Sequence, residues 1–137
     1  MIIGVTGSRD WTSREIVAKA FDEAEQGKPD LERGDAPMIV IEGGAAGGDA
    51  ICRIEANSRG WHVATVRAIW GFYGPVEAGH IRNSAMTYMG AHIWLAFINP
   101  CIKQNCTMPR PHDSHGTTNC IISAVNRGIR VLEYRNE

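Results

Sequence analysis

Apolar positions in this chain fall into short blocks, and between the blocks they recur at helical spacing. The blocks are MIIGVT (1–6), MIVIE (38–42), HVATVR (62–67), HIWLAFI (92–98) and RVLEYR (130–135). They are short and mostly rich in β-branched or aromatic residues, the composition of buried parallel strands. Between the first two, Val17, Ala20, Phe21 and Ala24 stand at i, i+3, i+4 and i+7, one face of a helix. Thr12 and Glu15 read as a T-x-x-E capping box for its start. A second helix is predicted after Gly48, with Ile51 and Ile54 inward. A third covers about 77–89 around Ile81, Ala85 and Tyr88. A fourth covers about 117–127 around Ile121, Ala124 and Val125 and stops at Gly128. Strand-helix alternation of this kind predicts an α/β fold with a doubly wound parallel sheet of about five strands in the order 3-2-1-4-5.

The 137 residues suit one domain spanning 1–137. GKPDLERGDAP (27–37) reads as a solvated loop. Segment 99–116 is too long for an ordinary connection and is expected to have a role of its own. Hydrophobic content of 44% and charge of 21% exclude a disordered chain. A net charge of −1 gives no global attraction to nucleic acid or anionic membrane. The N-terminus lacks the basic start and apolar stretch of a signal peptide, and no segment approaches the ~20 apolar residues of a membrane span. The expectation is a cytoplasmic protein with no membrane partner, where thiols stay reduced and clustered cysteines more often bind metal than pair.

In open α/β sheets, ligands bind beyond the carboxyl ends of the strands, where strand order reverses. The loops after the first, second and fourth strands would meet there, and all three are unusual in composition. In TGSRDW, Gly7 permits a tight turn, Ser8 offers a hydroxyl, Arg9 a planar fork for phosphate or carboxylate, and Asp10 a carboxylate or a helix cap. In EGGAAGGDA, Gly43, Gly44 and Gly47 precede a helix and would let backbone N–H groups approach an anion. Asp49 there suits a ribose hydroxyl, or a helix N-cap. After the third strand, Trp70, Phe72 and Tyr73 offer either a stacking surface for a base or packing. Arg82, beside Asn83 and the expected inward Ile81, needs an anionic partner, either a salt bridge or a ligand.

Taken in order, GSRDW, GGAAGGDA, W-x-x-Y-G followed by AGHIRNSAM, and SHGT before the last helix resemble the YspA/YpsA-related branch of the SLOG superfamily. That superfamily also includes the LOG phosphoribohydrolases and the DNA-processing protein DprA. The resemblance spans nearly the whole chain and implies a Rossmann-like domain that binds a nucleotide or nucleotide-derived ligand, often as a homodimer or larger homo-oligomer. By position, Ser8, Arg9 and Asp10 match the first motif, Gly43, Gly44, Gly47 and Asp49 the second, and Arg82 and Asn83 the third. Ser114, Gly116 and Thr117 stand where LOG enzymes carry a phosphate-binding P-G-G-x-G-T, with His115 inside the motif. LOG enzymes place a glutamate three residues after that threonine, and here the position is Cys120. A thiol does not readily replace a carboxylate beside an oxocarbenium-like transition state, so LOG-type hydrolysis is not expected unless Asp10, Asp49 or Glu77 supplies the carboxylate.

The family's short loop is here expanded into Cys101-x4-Cys106-x5-His112-x2-His115-x4-Cys120. Structural zinc takes four thiolate or imidazole ligands, so five candidates compete for four places. With His115 assigned to the ligand motif, the expected set is Cys101, Cys106, His112 and Cys120, with His115 as the alternative; the other reading is unlinked thiols, with Cys120 in the core. The leading expectation is a nucleotide-class sensor or sequestering module with a structural zinc. An N-glycosidic or phosphate-bond enzyme comes second, and a DNA-processing role is disfavoured by the charge.

Overall fold

A computed structural model describes residues 1–27 and 37–136. Among the described residues strands and helices alternate: β1 (Ile2–Gly7), α1 (Arg14–Gln26), β2 (Ile39–Glu42), α2 (Gly48–Ser58), β3 (His62–Thr65), α3 (Glu77–Thr87), β4 (Ile93–Ile98), α4 (His115–Asn126) and β5 (Val131–Arg135). The five strands form one sheet in the order β3-β2-β1-β4-β5, and every pairing is parallel. This is the expected doubly wound, Rossmann-like α/β fold. The loop expected over 27–37 falls mostly on 28–36, outside the described residues.

Strand periodicity divides the core in two. Ile3, Val5, Val40, Leu95 and Phe97 pack against Val17, Ala20, Phe21 and Ala24 of α1 and Cys52 and Ala56 of α2. The alternate positions Ile41 and Trp94 face Met86 of α3 and Cys120 and Ala124 of α4. Each strand thus supplies both layers, because successive side chains point to opposite faces. β4, between β1 and β5, is buried at all six positions. Gly4 lies directly across from Trp94 in the β1–β4 register, and a side chain at residue 4 would run into the indole ring.

Four local expectations are corrected. Ser13, not Thr12, caps α1: its side chain accepts a hydrogen bond from the Ile16 amide at 3.2 Å, so the Thr12–Glu15 box does not form. On α2 the inward residues are Ile51, Cys52, Glu55 and Ala56, and Ile54 is exposed. Glu55 is buried because it receives Arg14 and Arg59, each at 3.1 Å, which ties α2 to the start of α1. On α3 the buried face is Ala78, Asn83, Met86 and Thr87, while Ile81 and Tyr88 face solvent. On α4 Val125 is exposed and Thr117, Cys120 and Ala124 are buried. In α3, polar Asn83 and Thr87 hold the inner face through hydrogen bonds to α4, so apolar spacing alone picks the wrong side. No helix among the described residues is long and apolar enough to cross a membrane.

Gly4→Ala is expected to cost about 1–3 kcal/mol, as overpacking of a tight core does, because Trp94 must leave its seat on β1. Urea unfolding would show a lower midpoint at unchanged slope; an unchanged midpoint would contradict the packing described.

Candidate functional site

At the carboxyl ends of the strands, beside the β1/β4 switch point, lies a cleft of about 550 Å³. That is within the usual range for small-molecule sites. All four connections on this edge reach it: Gly7 to Arg9 after β1, Ala45 and Asp49 after β2, Trp70 to Asn83 around α3, and Lys103 with Ser114 to Thr117 before and on α4. Of the residues expected at a ligand site, it collects Gly7, Ser8, Arg9, Asp49, Trp70, Arg82, Asn83, Ser114, His115, Gly116 and Thr117. It leaves out Asp10, Tyr73 and Glu77. Asp10 accepts from Asn99 at 3.2 Å, Tyr73 packs edge-on against Phe72, and Glu77 is exposed at the start of α3.

Ser8 is the joint of the site, buried to 2% exposure. Its amide donates to the Phe97 carbonyl at 2.9 Å, and its carbonyl accepts from Trp11 at 3.0 Å and Gly48 at 3.1 Å. Its hydroxyl accepts from the Asn99 amide at 2.8 Å and meets the Ser114 hydroxyl at 2.7 Å. Ser114 in turn donates to Thr117 Oγ1 at 3.0 Å. Ser114 has one proton, so Ser8 donates to Ser114 and the chain of hydroxyls ends on Thr117. Beside Ser8 the backbones of two loops touch. A Cβ on Gly7 would lie 2.6 Å from Gly48 Cα, which is why both positions are glycine.

The glycine turn is built differently from the expected anion cradle. Gly43 and Ala45 donate their amides to Asp49 Oδ2 at 3.1 and 3.2 Å, and Gly44 donates to Glu42. Gly43, Gly44 and Gly47 do not line the cleft. Asp49 is the second residue of α2, not its N-cap, and its carboxylate occupies the turn that an anion would have entered. Burial pushes its pKa up to about 6, against the pull of the Ala45 hydrogen bond. Glu42 was not singled out from the sequence, although a glutamate ending an apolar strand before two glycines was the available signal. It is fully buried, held by Thr65 and by Arg53 at 3.2 Å, and it props the turn.

Donors are free at the other helix. The first-turn amides of α4, on His115, Gly116 and Thr117, have no protein partner among the described residues, as the first turn of any helix leaves them. The first turn of α4 has no acidic residue, whereas that of α2 has Asp49. Arg82 has no salt bridge among the described residues, yet it is held in place. It donates to the Gly43 carbonyl at 2.7 Å and to Asn83 Oδ1 at 2.9 Å, and Asn83 holds Asn119 of α4 at 2.9 Å. At the rim, the Arg9 guanidinium lies 5.8 Å from the centre of the Trp70 ring.

The Cys/His loop converges, with one change of member. The sulfur and nitrogen atoms of Cys101, Cys106, His112 and His115 all lie within 4.8 Å of one another. His112 and His115 Nε2 are 3.2 Å apart, and Cys106 Sγ lies 3.5 and 3.3 Å from them. Cys120 is not in the group. It falls on the sheet-facing stripe of α4 with Thr117 and Ala124, is fully buried, and burial pushes its thiol up to about 12. Cys120 thus lies outside the group that could hold a metal, and His115, the alternative member, stands in it while also starting α4 and lining the cleft.

The family profile described as the YspA, cpYpsA-related SLOG family matches residues 1–73. The chain is also 32% identical over 135 residues to the Gene 61 protein of Mycobacterium phage D29, covering 95% of this chain and 93% of that protein. No solved structure matches the chain. The protein belongs to the YspA, cpYpsA-related SLOG family.

Because the folded pKa of Asp49 (about 6) lies above the ordinary 3.8, its charge opposes folding at neutral pH, and that cost is relieved as pH falls through 6 toward 3.8. At about 1.4 kcal/mol per pH unit the cost is on the order of 2–3 kcal/mol. Asp49→Asn is therefore expected to match or exceed the native stability at pH 7.5 and to lose most of that advantage by pH 4.5. Urea unfolding at the two pH values reads the difference; a gap independent of pH would place the carboxylate in a solvated setting.

Proposed function

We propose that the cleft binds a nucleotide or nucleotide-derived small molecule in a cytoplasmic sensor or sequestering module. SLOG membership points to a nucleotide-related function. The observation that carries the finer reading is the pairing of opposite chemistries in one cleft. The free α4 amides, Thr117 and Arg82 suit a phosphate, while buried Asp49 suits hydroxyl donors such as those of a ribose. Trp70 and Arg9 at the rim supply a flat apolar face and a cation for a base.

Binding without turnover is the preferred reading. The position of the LOG glutamate is Cys120, a buried thiol that burial keeps protonated, so it offers neither a carboxylate nor a nucleophile. The N-glycosidic hydrolase remains the second reading, favoured by one observation: Asp49, with its pKa near 6, is a carboxyl that can hold or release a proton near neutral pH.

The Cys101, Cys106, His112 and His115 group supports a structural zinc. Around a tetrahedral zinc the N···N edge is about 3.3 Å and the N···S edge about 3.6 Å, from the usual bond lengths. The 3.2 Å and the 3.3–3.5 Å seen here are close to those values. His112 Nδ1 lies 2.9 Å from the Pro109 carbonyl, which can only accept, so Nδ1 carries the proton and Nε2 turns its lone pair to the group. Four protein ligands leave no position for a reactive water.

We also infer a homodimer. α3 and α4 turn Met86, Cys120 and Ala124 to the sheet, and Ile81, Tyr88, Ile122 and Val125 are left exposed on them. A second copy packed against these two helices would bury those apolar side chains.

AMP should bind better than adenosine in calorimetric titration, and Arg82→Ala should weaken AMP by about 1.5–3 kcal/mol, the worth of a charge-assisted hydrogen bond. The same samples should release no free adenine. Equal affinity for nucleoside and nucleotide would remove the phosphate from the cleft, and adenine release abolished by Asp49→Asn would establish the hydrolase.

Light scattering should give the mass of a dimer for the native chain and of a monomer for Ile122→Glu. A native monomer would refute the helical interface.

A further inference from the structure

His115 belongs to two structures at once. Its ring enters the Cys/His group, 3.2 Å from His112 and 3.3 Å from Cys106, while its backbone opens α4 at the edge of the cleft. Lys103, also on the cleft, lies between Cys101 and Cys106. The metal ligands and the free α4 donors are therefore carried by one short stretch of chain.

That stretch holds its middle by a few polar bonds, from Arg110 to the Cys101 carbonyl at 3.2 Å and to the Lys103 carbonyl, and from the Cys106 amide to the Lys103 carbonyl at 3.2 Å. Its two ends are pinned: the Cys101 amide donates to the His112 carbonyl at 2.7 Å, Pro100 bridges Asp113, and Asp113 takes Arg135 in two bonds of 2.7 and 3.0 Å. Residues 102–111 are exposed except for the half-buried Cys106. No apolar anchor ties Cys106 to the start of α4; the ring atoms of His112 and His115 do. Without a cation, only hydrogen bonds among these sulfur and nitrogen atoms hold them together.

We propose that metal occupancy of the Cys101/Cys106/His112/His115 site governs phosphate binding in the cleft, with zinc and the phosphorylated ligand each raising the affinity of the other. The proposal rests on the nucleotide reading of the cleft. Two thiolates cancel the charge of a zinc ion, so the neutral centre does not attract phosphate at a distance. It acts by ordering. Bound metal fixes the His115 ring, and through it the first turn of α4, in the position where the His115, Gly116 and Thr117 amides and the Thr117 hydroxyl converge. Ser8 already pins Ser114 and Thr117, so without metal it is the His115 ring and the 101–112 loop that the ligand must order, which reduces affinity. Linkage then requires the ligand to tighten zinc by the same factor.

The test uses the full chain, reduced, in zinc-loaded form and after chelation, with circular dichroism confirming that both are folded. AMP is titrated into each form, and zinc affinity is measured by competition with a chromophoric chelator with and without saturating AMP. The zinc-loaded protein should hold one metal per chain and bind AMP at least about tenfold more tightly than the stripped form, a typical coupling between two sites. AMP should lower the zinc dissociation constant by a matching factor. Cys106→Ser, whose site does not line the cleft, should bind AMP like the stripped protein whether or not zinc is added. Equal AMP affinity in the loaded and stripped forms would overturn the linkage and leave the cleft reading intact, and so would absence of zinc from protein that binds AMP. A stoichiometric zinc with no AMP binding in either form would overturn the cleft reading and the linkage with it.

Discussion

The site depends on one buried serine. Ser8 follows the last residue of β1, and its polar groups are taken by different segments: β4 through Phe97, the loop after β4 through Asn99, the start of α2 through Gly48, and the entry to α4 through Ser114. A buried hydroxyl with every bond satisfied is a strong positional constraint, because moving any partner strands a donor or acceptor away from water. The sheet delivers these loops to the same edge, and Ser8 sets their spacing. The glycines at 7 and 48 follow from the same requirement, since only bare backbones can come this close.

Of the helices that begin at this edge, α2 and α4 divide the chemistry between them. α2 carries Asp49 in its first turn and consumes the glycine-turn amides in holding it. α4 carries no acid there and keeps its amides open. A helix start with its own carboxylate is occupied; one without is available to an outside anion. The cleft between them is polarised, with a hydroxyl acceptor on one wall and anion donors on the other. Arg82 is kept from collapsing onto Asp49 by its bonds to Gly43 and Asn83.

Much of the fold was legible in the sequence because parallel strands and α1 obey simple periods. Five apolar blocks gave the sheet and its order, and Val17, Ala20, Phe21 and Ala24 gave the buried face of α1. The reading failed where polar groups, not apolar ones, decide what is buried. Asn83, Thr87 and Glu55 are inside because α4, Arg14 and Arg59 satisfy them, and no apolar pattern announces that. The cleft residues were found mostly from glycine, arginine and hydroxyl clusters between blocks, while Asp10, Tyr73 and Glu77 lay in the same motifs and do not line the cleft. The choice between His115 and Cys120 required knowing the phase of α4, since five residues along a helix turn a side chain well over 90° away. Motif membership had placed His115 with the ligand, and in the fold it serves the cleft's edge and the Cys/His group together.

The central claim is that one cleft at the β1/β4 switch point takes a phosphate against α4 and the rest of a nucleotide toward Asp49 and Trp70. Amide and indole chemical-shift mapping by NMR, with AMP added to zinc-loaded protein, tests it most directly. The account predicts large shifts at His115, Gly116, Thr117 and Arg82 and at the Trp70 indole, with Gly60 and Asn57 at the opposite edge of the sheet unmoved. Shifts confined to residues outside the cleft, or none at saturating AMP, would contradict it.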